Sequence, residues 1–367
     1  MSIGRHSHAA VPVSAPRNIA VFRALQLGDL LCAVPTLRAL RRSWPHARVT
    51  LIGLPWAREI AARFPTYIDE FLEFPGFPGL PERRCEPRAV LEFLRSAQEL
   101  KFDLALQLHG SGEFSNPLVA LLGARRAAGY FREGHYCPDA ATFLAWRDDE
   151  PEVERGLRLL AALGVASSGL ELEAPVLQAD LSELARIADE RVLPRGGYVC
   201  VHPGARLKSR RWYPERFAVV ADGLAARGLR VVVTGTADEA ELARAIAERT
   251  CAPIVDLVGR TTFGGLTALI DGARLVVTNE TGVRHIAAAR GTPCVAVACG
   301  SDVRRWPASE PIQRLLHADV PCRPCTYDRC PIGHGCAHGV ESREVLAAAN
   351  DLLASAAKVA KSSPCAA

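Results

Sequence analysis

Short β-type apolar runs alternate with longer amphipathic runs along most of this chain, and the alternation occurs twice. Asn18-Ile-Ala-Val-Phe22 reads as a buried strand, Arg23–Asp29 as a turn, and Leu30–Arg42 as a helix kinked by Pro35. Arg48–Gly53 is a second strand and Trp56–Phe64 a helix. Leu91–Leu100 predicts a helix leading to a strand at Phe102–Leu108. The glycine-rich loop His109-Gly-Ser-Gly112 follows, then a helix at Asn116–Leu122, a short strand at Arg125–Tyr130 and a helix at Glu152–Leu163. A proline-punctuated passage from about Gly164 to Gly197 reads as a linker. The pattern restarts at Tyr198-Val-Cys-Val-His-Pro-Gly204, with a helix over Trp212–Arg227, a strand over Arg230–Thr234 and a helix over Ala237–Arg249. A strand at Ile254–Leu257 and a helix at Phe263–Asp271 lead to the most regular stretch. That stretch is strand Leu275–Thr278, turn Asn279-Glu280-Thr281-Gly282, helix Val283–Arg290 stopped by Gly291 and Pro293, and a second apolar run at Cys294–Ala298.

Strands alternating with helices predict parallel sheets, with ligands at the carboxyl ends of the strands. The pattern occurs twice without a close sequence repeat, so we expect two α/β domains facing a central cleft. At 367 residues and 49% hydrophobic content the chain is long enough for two cores. The expected boundaries are a loose extension over 1–16, a first domain over 17–180, a second over 197–345, and a C-terminal helix and tail over 346–367. The net charge of +4 does not argue for nucleic acid. There is no apolar run long enough for a membrane span and no continuous apolar segment of a signal peptide near the start, so a reducing cytosolic setting is the default.

Several strand-end residues carry candidate chemistry. Gly282 at a strand-to-helix turn lets backbone N–H groups approach an anion, and the helix N-terminus favours negative charge. Thr281 can donate to phosphate oxygens, His285 lies one turn further on the same face, and Glu280 can accept from a sugar or ribose hydroxyl. An ordinary β–α turn capped by Thr281 is the alternative. Asp29, after the first strand, is either a general base or a helix cap. The loop from His202 carries Arg206, Lys208, Arg210 and Arg211, cations able to stabilise a diphosphate leaving group. At least two of these four are read as solvated surface. Gly235 opens a third strand-end turn, where Glu239 can take both ribose hydroxyls or simply favour a helix start.

These pieces resemble glycosyltransferase family 9, the lipopolysaccharide heptosyltransferases and their relatives. The matching features are Gly28-Asp29 with Pro35 and Leu37, the Asp103–Gly110 strand and loop, and Gly129-Tyr130. In the second half they are His202-Pro-Gly204, Arg210-Arg-Trp212, Thr234-Gly235 with Glu239, and Thr281-Gly282 with His285. The likeness runs from about Ile19 to Leu353. It implies a GT-B fold of two Rossmann-like domains and an inverting transfer from a nucleotide-diphosphate sugar, ADP-heptose favoured, with no cofactor required for catalysis. The implied acceptor is a lipopolysaccharide, or another glycan or lipid-linked molecule, with peripheral contact at the inner membrane. Asp29 falls where the family has its base, and acceptor contacts are implied at Gly28, His109 and Ser111. Arg210 stands where some members have lysine, and Glu280 where many have aspartate, which bears on the donor.

Of twelve cysteines, Cys322, Cys325, Cys330 and Cys336 cluster in fifteen residues among prolines. They can surround one structural zinc or iron ion, form disulfides, or stay free thiols. Competing functions on the same scaffold are a nucleotide-sugar epimerase or hydrolase and a non-catalytic sugar-nucleotide binder. A dehydrogenase is disfavoured, since no Gly-x-Gly-x-x-Gly follows the first strand.

Overall fold

A computed structural model describes residues 15–188, 191–309 and 311–362. The extension expected over 1–16 lies outside these residues except for Ala15 and Pro16, and so does the tail after Ser362. The chain divides into two units, Met1–Leu172 and Glu173–Ala367.

The first unit holds β1 (Asn18–Phe22), β2 (Arg48–Gly53), β3 (Glu70–Glu73), β4 (Leu104–Gln107), β5 (Arg126–Phe131) and β6 (Phe143–Ala145). They form one sheet in the order β3-β2-β1-β4-β5-β6, every neighbour parallel. The middle residues of β1 are apolar and fully buried because helices cover both faces of such a sheet. Ala20 pairs with Thr50 on one side and Ala105 on the other. Strand addition reverses direction between β1 and β4, so the loops leaving these two strands are neighbours at the sheet's carboxyl edge.

The second unit repeats the winding. Its strands are β7 (Tyr198–His202), β8 (Arg230–Val233), β9 (Ile254–Asp256), β10 (Leu275–Asn279), β11 (Cys294–Val297) and β12 (Gln313–Leu316). Their order is β12-β11-β10-β7-β8-β9, again parallel, with the reversal between β7 and β10. The C-terminal helix Ser342–Ser362 belongs to this core, with Val345, Ala349, Leu352 and Leu353 packed among Phe217, Leu224 and the central strands.

Three differences from expectation have physical causes. First, β3, β6 and β12 were not foreseen. All are edge strands of three or four residues, and β3 and β12 carry charged or amide side chains. An edge strand has only one neighbour and so a weak apolar signal. Second, the first helix runs Leu27–Ser43, so Gly28 and Asp29 lie inside its first turn rather than in a preceding loop. Asp29 holds that turn by accepting the Gln26 N–H at 3.3 Å. Third, the expected linker contains a helix, Gln178–Ile187, that belongs to the second unit. Its Glu183 accepts the N–H of Thr262 at 2.8 Å, at the start of helix Phe263–Gly272. The division therefore falls at Leu172, earlier than 180.

The helix carrying Asp29 packs on helix Glu152–Ala162, and Gly156 lets the two approach: a Cβ there would fall well inside contact distance of the Thr36 hydroxyl. Alanine normally stabilises a helix interior by about 0.8–1 kcal/mol over glycine. Here the sign should reverse. Gly156→Ala is expected to lower unfolding free energy by about 1–2 kcal/mol through overpacking against buried Thr36. Urea denaturation measures it, and an unchanged or more stable variant would refute the tight contact.

Candidate functional site

At the reversal point of the first sheet, the chain leaves β1 with Arg23, whose guanidinium is almost wholly buried. A buried cation requires partners. Arg23 donates to the Leu108 carbonyl after β4, pairs with Glu152 Oε1 at 2.9 Å and lies 3.4 Å from Asp29 Oδ1. Its Nε donates to the Asp29 carbonyl at 3.0 Å. Burial alone would lower the Arg23 pKa, but Glu152 and Asp29 outweigh it and raise the value above the ordinary one. Asp29 is thus held by the helix turn and by a cation together, with its side chain 16% exposed. Gly28 beside it is half-buried.

His109, at the end of β4, is stacked on Phe22 with centroids 4.7 Å apart, and its Nδ1 accepts the Ala24 N–H at 3.2 Å. That acceptor role places the ring proton on Nε2, which lies 3.5 Å from Glu82. Accepting a further proton would break the bond to Ala24, so His109 is poorly placed as a general base. The Gln107 amide and Ser115 hydroxyl both donate to the His109 carbonyl at 2.8 Å and fix the start of the loop, while Ser111 is half-buried further along it. Gly110 and Gly112 have φ of +65° and +90°, which glycine supplies without strain.

In the second unit the reversal point brings the β7 and β10 loops together. Asn279, fully buried, donates to the carbonyls of Pro203 at 2.7 Å and Gly204 at 3.2 Å, and accepts the Trp212 N–H at 2.9 Å. This one amide ties His202-Pro-Gly204 to the turn before helix Gly282–Arg290. Thr281 is that helix's N-cap residue, yet it makes no side-chain capping bond; its hydroxyl sits 3.5 Å from the Thr278 hydroxyl. The simple cap reading of Thr281 is therefore not what the side chain does.

Glu280 points inward. Its carboxylate lies 3.2 Å from Arg284 and 3.6 Å from His285. Burial would raise its pKa, but the His285 hydrogen bond and the Arg284 charge bring it down to about 2. Arg284 is held in turn by the Gln313 side chain at 3.0 Å and the Trp306 carbonyl at 3.1 Å. Glu239 is likewise engaged: it accepts the Thr236 N–H at 3.0 Å, lies 3.7 Å from Arg211 and packs against Gly204 and Gly235. His202 contacts the Thr234 hydroxyl at 3.1 Å, and burial lowers its pKa against the pull of Glu239.

The basic loop divides as expected. Arg206 and Lys208 are exposed. Arg211 folds back, donating to the Ala205 carbonyl at 2.8 Å. Arg210 is half-buried and reaches the Cys325 carbonyl at 3.4 Å. Cys325 belongs to the cysteine-rich loop, where Cys322, Cys325 and Cys330 share a cavity with Cys336 and with Cys299, just past β11. Cys336 receives the Cys299 thiol's hydrogen bond, which chiefly brings its pKa down to about 6. Among the described residues, no three His, Cys, Asp or Glu side chains already stand around a point that would hold a metal ion.

Sequence reasoning missed Arg23, Glu152, Asn279 and Cys299 as site residues. The available signal was a charged or amide residue closing an apolar strand, as Arg23 and Asn279 do.

A model of the family described as glycosyltransferase family 9 (heptosyltransferase) matches residues 90–335. Lipopolysaccharide heptosyltransferase 3 of Escherichia coli is 27% identical over 289 residues, covering 76% of this chain and 82% of its own. Among solved structures, a family 9 glycosyl transferase from Veillonella parvula DSM 2008 superposes with a TM-score of 0.73 at 20% identity, covering 92% of this chain and 97% of that one. The E. coli ADP-heptose lps heptosyltransferase II gives a TM-score of 0.71 at 21% identity, with 92% and 99% covered. These two share the fold.

The buried Glu280 makes a pH-dependent contribution to stability. Its folded pKa of about 2 lies below the ordinary value of 4.5, so the contribution is complete above pH 4.5 and is lost as pH falls toward 2. Glu280→Gln removes that term. Wild type should therefore lose melting temperature more steeply than the variant on acidification below pH 4.5. Parallel curves would show that Glu280 does not titrate as described.

Proposed function

The chain belongs to glycosyltransferase family 9, and from this premise we propose that it moves a heptose from ADP-heptose to a lipopolysaccharide or related glycan acceptor, by inversion and without a catalytic metal. The observation that carries the donor half is the helix start at Gly282, where Thr281 makes no side-chain capping bond, at the reversal point of the second sheet. The E. coli relatives' names supply the sugar, the nucleotide and the lipopolysaccharide. Since a lipopolysaccharide acceptor is lipid-linked, the reading includes peripheral contact at the inner membrane. No helix among the described residues is long and apolar enough to cross one.

In this reading the donor diphosphate takes the first-turn N–H groups at Gly282, the Thr281 hydroxyl and the cations Lys208 and Arg210. These groups stabilise the charge that grows as the sugar C1–O bond breaks. The acceptor hydroxyl attacks C1 from the opposite face, and its proton passes to Asp29. Arg211, Glu239 and Glu280 are occupied within the protein, so their part is to shape the pocket. His202, Gly235 and His285 line the same strand ends on the donor side; Gly28, His109 and Ser111 do so on the acceptor side.

Asp29→Asn separates base from cap. Asparagine keeps an oxygen for the Gln26 N–H but cannot accept a proton at neutral pH. With ADP-heptose and a truncated lipopolysaccharide core, transfer should slow at least about a hundredfold while donor affinity stays near wild type. Near-normal turnover would remove Asp29 as the base. For the donor loop, Arg210→Ala should weaken ADP binding by about tenfold, the loss of one charge-assisted contact. Exposed Arg227, at the far end of helix Pro214–Ala225, serves as the control. Equal effects at both positions in a binding titration would reject the loop assignment.

A further inference from the structure

At the carboxyl edge of the first sheet, the loops after β3 and β4 hold one aromatic ring between them. The loop after β3 turns at Phe77-Pro-Gly-Leu80, where the Leu80 N–H donates to the Phe77 carbonyl at 3.0 Å and Gly79 has φ of +84°. Proline followed by a left-handed glycine makes this a type II turn, with little freedom in either residue. Phe77 and Leu80 anchor it on the core of the unit. Phe114, in the loop after β4 and just before helix Ser115–Leu121, lays its ring on the turn: a Cβ at Gly79 would collide with the Cγ, Cδ1 and Cε1 atoms of Phe114. The ring is thus set on backbone, yet Phe114 is 47% exposed.

The loop after β5 joins the same edge. The Asn116 amide donates to the carbonyls of Tyr130 at 3.0 Å and Tyr136 at 3.2 Å, and His135 Nδ1 lies 3.8 Å from Glu113 Oε1. Tyr136, the residue after His135, is 53% exposed. A single aromatic side chain on a surface needs no explanation. A ring fixed on a rigid turn with its other face in water does, because its side-chain entropy is given up without full burial. That is the state a stacking site has before its ligand arrives. Glu113 and His135, each partly open to solvent, add a hydroxyl acceptor and a ring that can donate or accept.

We propose that Phe114 and Tyr136 form a stacking platform for one sugar ring of the acceptor glycan, the residue next to the one whose hydroxyl is glycosylated, with Glu113 and His135 engaging its hydroxyls. A pyranose presents a face of weakly positive C–H groups and a rim of hydroxyls. The negative face of an aromatic ring complements the first, and the carboxylate and imidazole complement the second. The placement fits the reaction. β4 lies one strand from β1 and β5 two, so their loops start ~5 and ~10 Å along the edge from the strand leading to Asp29. That is the span of a disaccharide with its reacting residue at Asp29 and its neighbour on the platform. The platform makes and breaks no bond. It adds acceptor affinity and favours acceptors of two or more sugar residues over a single one. The inference rests on the acceptor reading of the first unit given above, but not on heptose as the sugar transferred.

The test uses the full chain, ADP-heptose, a lipid-free core oligosaccharide and a single-sugar analogue of its terminal residue. Phe114→Ala should raise KM for the oligosaccharide about tenfold, the worth of one aromatic contact, and change kcat and ADP affinity little. For the single-sugar acceptor the rise should be at least about fivefold smaller. Phe114→Trp keeps an aromatic face and should hold the oligosaccharide KM within about threefold of wild type. Leu121→Ala, exposed at the far end of the same helix, is the control. Calorimetry without donor should show the same tenfold weakening of oligosaccharide binding in Phe114→Ala. In the Phe114→Trp chain the oligosaccharide should change indole emission beyond any change in wild type, a reading that does not depend on the alanine variant folding. An unchanged oligosaccharide KM in Phe114→Ala, an equal rise for both acceptors, or silent Phe114→Trp emission overturns the platform, while transfer by wild type keeps the functional reading. Loss of binding to anionic phospholipid vesicles in Phe114→Ala, with KM unchanged, makes the ring a membrane contact and also overturns it. Oligosaccharide binding that depends on Phe114 in a wild type that transfers no heptose keeps the platform and rejects the transferase reading. A wild type that neither binds nor uses the oligosaccharide overturns both.

Discussion

A parallel sheet covered by helices on both faces leaves polar chemistry almost nowhere to go. Its strands must be apolar along both sides, as β1, β7 and β10 are, and its backbone groups are consumed by the ladder. The place where side chains can be polar, close together and still supported by rigid backbone is the carboxyl edge. At that edge, the reversal between the first and fourth strands of each unit opens the space. Both units use the same winding, and both keep their charged groups at that point. The rest of the architecture follows from this constraint.

The two edges handle buried charge in the same way and to different ends. In the first, Arg23 is shared by Glu152 and Asp29. In the second, Glu280 is shared by Arg284 and His285. An ion taken from water without partners would cost far more than a fold of this size can spare, so each is matched by at least two partners. The matching fixes geometry. Arg284 reaches from its helix to Trp306 and Gln313, so the turn holding Thr281 and Gly282 is braced from the β12 side. Asn279 braces it from the β7 side. A turn held from both sides keeps its N–H groups aimed without a capping bond from Thr281, the arrangement the proposed donor site uses.

Much of this was legible in the chain. Apolar runs located the eight strands that have neighbours on both sides, together with edge strand β9, and the candidate residues follow those strands along the chain. What stayed hidden was partnership. Arg23 and Glu152 are 129 positions apart, and nothing local shows that they meet. Cys299 looks like one more small core residue until the loop folds over it. Glu239 and Glu280 read as open hydroxyl acceptors because a sequence shows a carboxylate but not the cation or N–H already bound to it. The first helix was placed three residues late for a related reason: Gly28-Asp29 looks like turn chemistry, and only the bond from Gln26 shows the turn to be helical.

Asp29 shows how a structural role and the proposed role as base can share one side chain. A capping carboxylate needs only an oxygen facing an N–H. A base also needs a fixed direction and a stable charge before the proton arrives, and Arg23 supplies both. A cation bound too tightly would oppose the proton. Here Glu152 takes the shorter contact, 2.9 Å against 3.4 Å for Asp29, and is the more deeply buried of the two. Protonation of Asp29 would therefore cost Arg23 its longer, more exposed partner while the buried pair with Glu152 remains. The carboxylate is oriented by a group that does not depend on it. In the proposed reaction the buried Arg23–Glu152 pair therefore stays in place when Asp29 takes a proton.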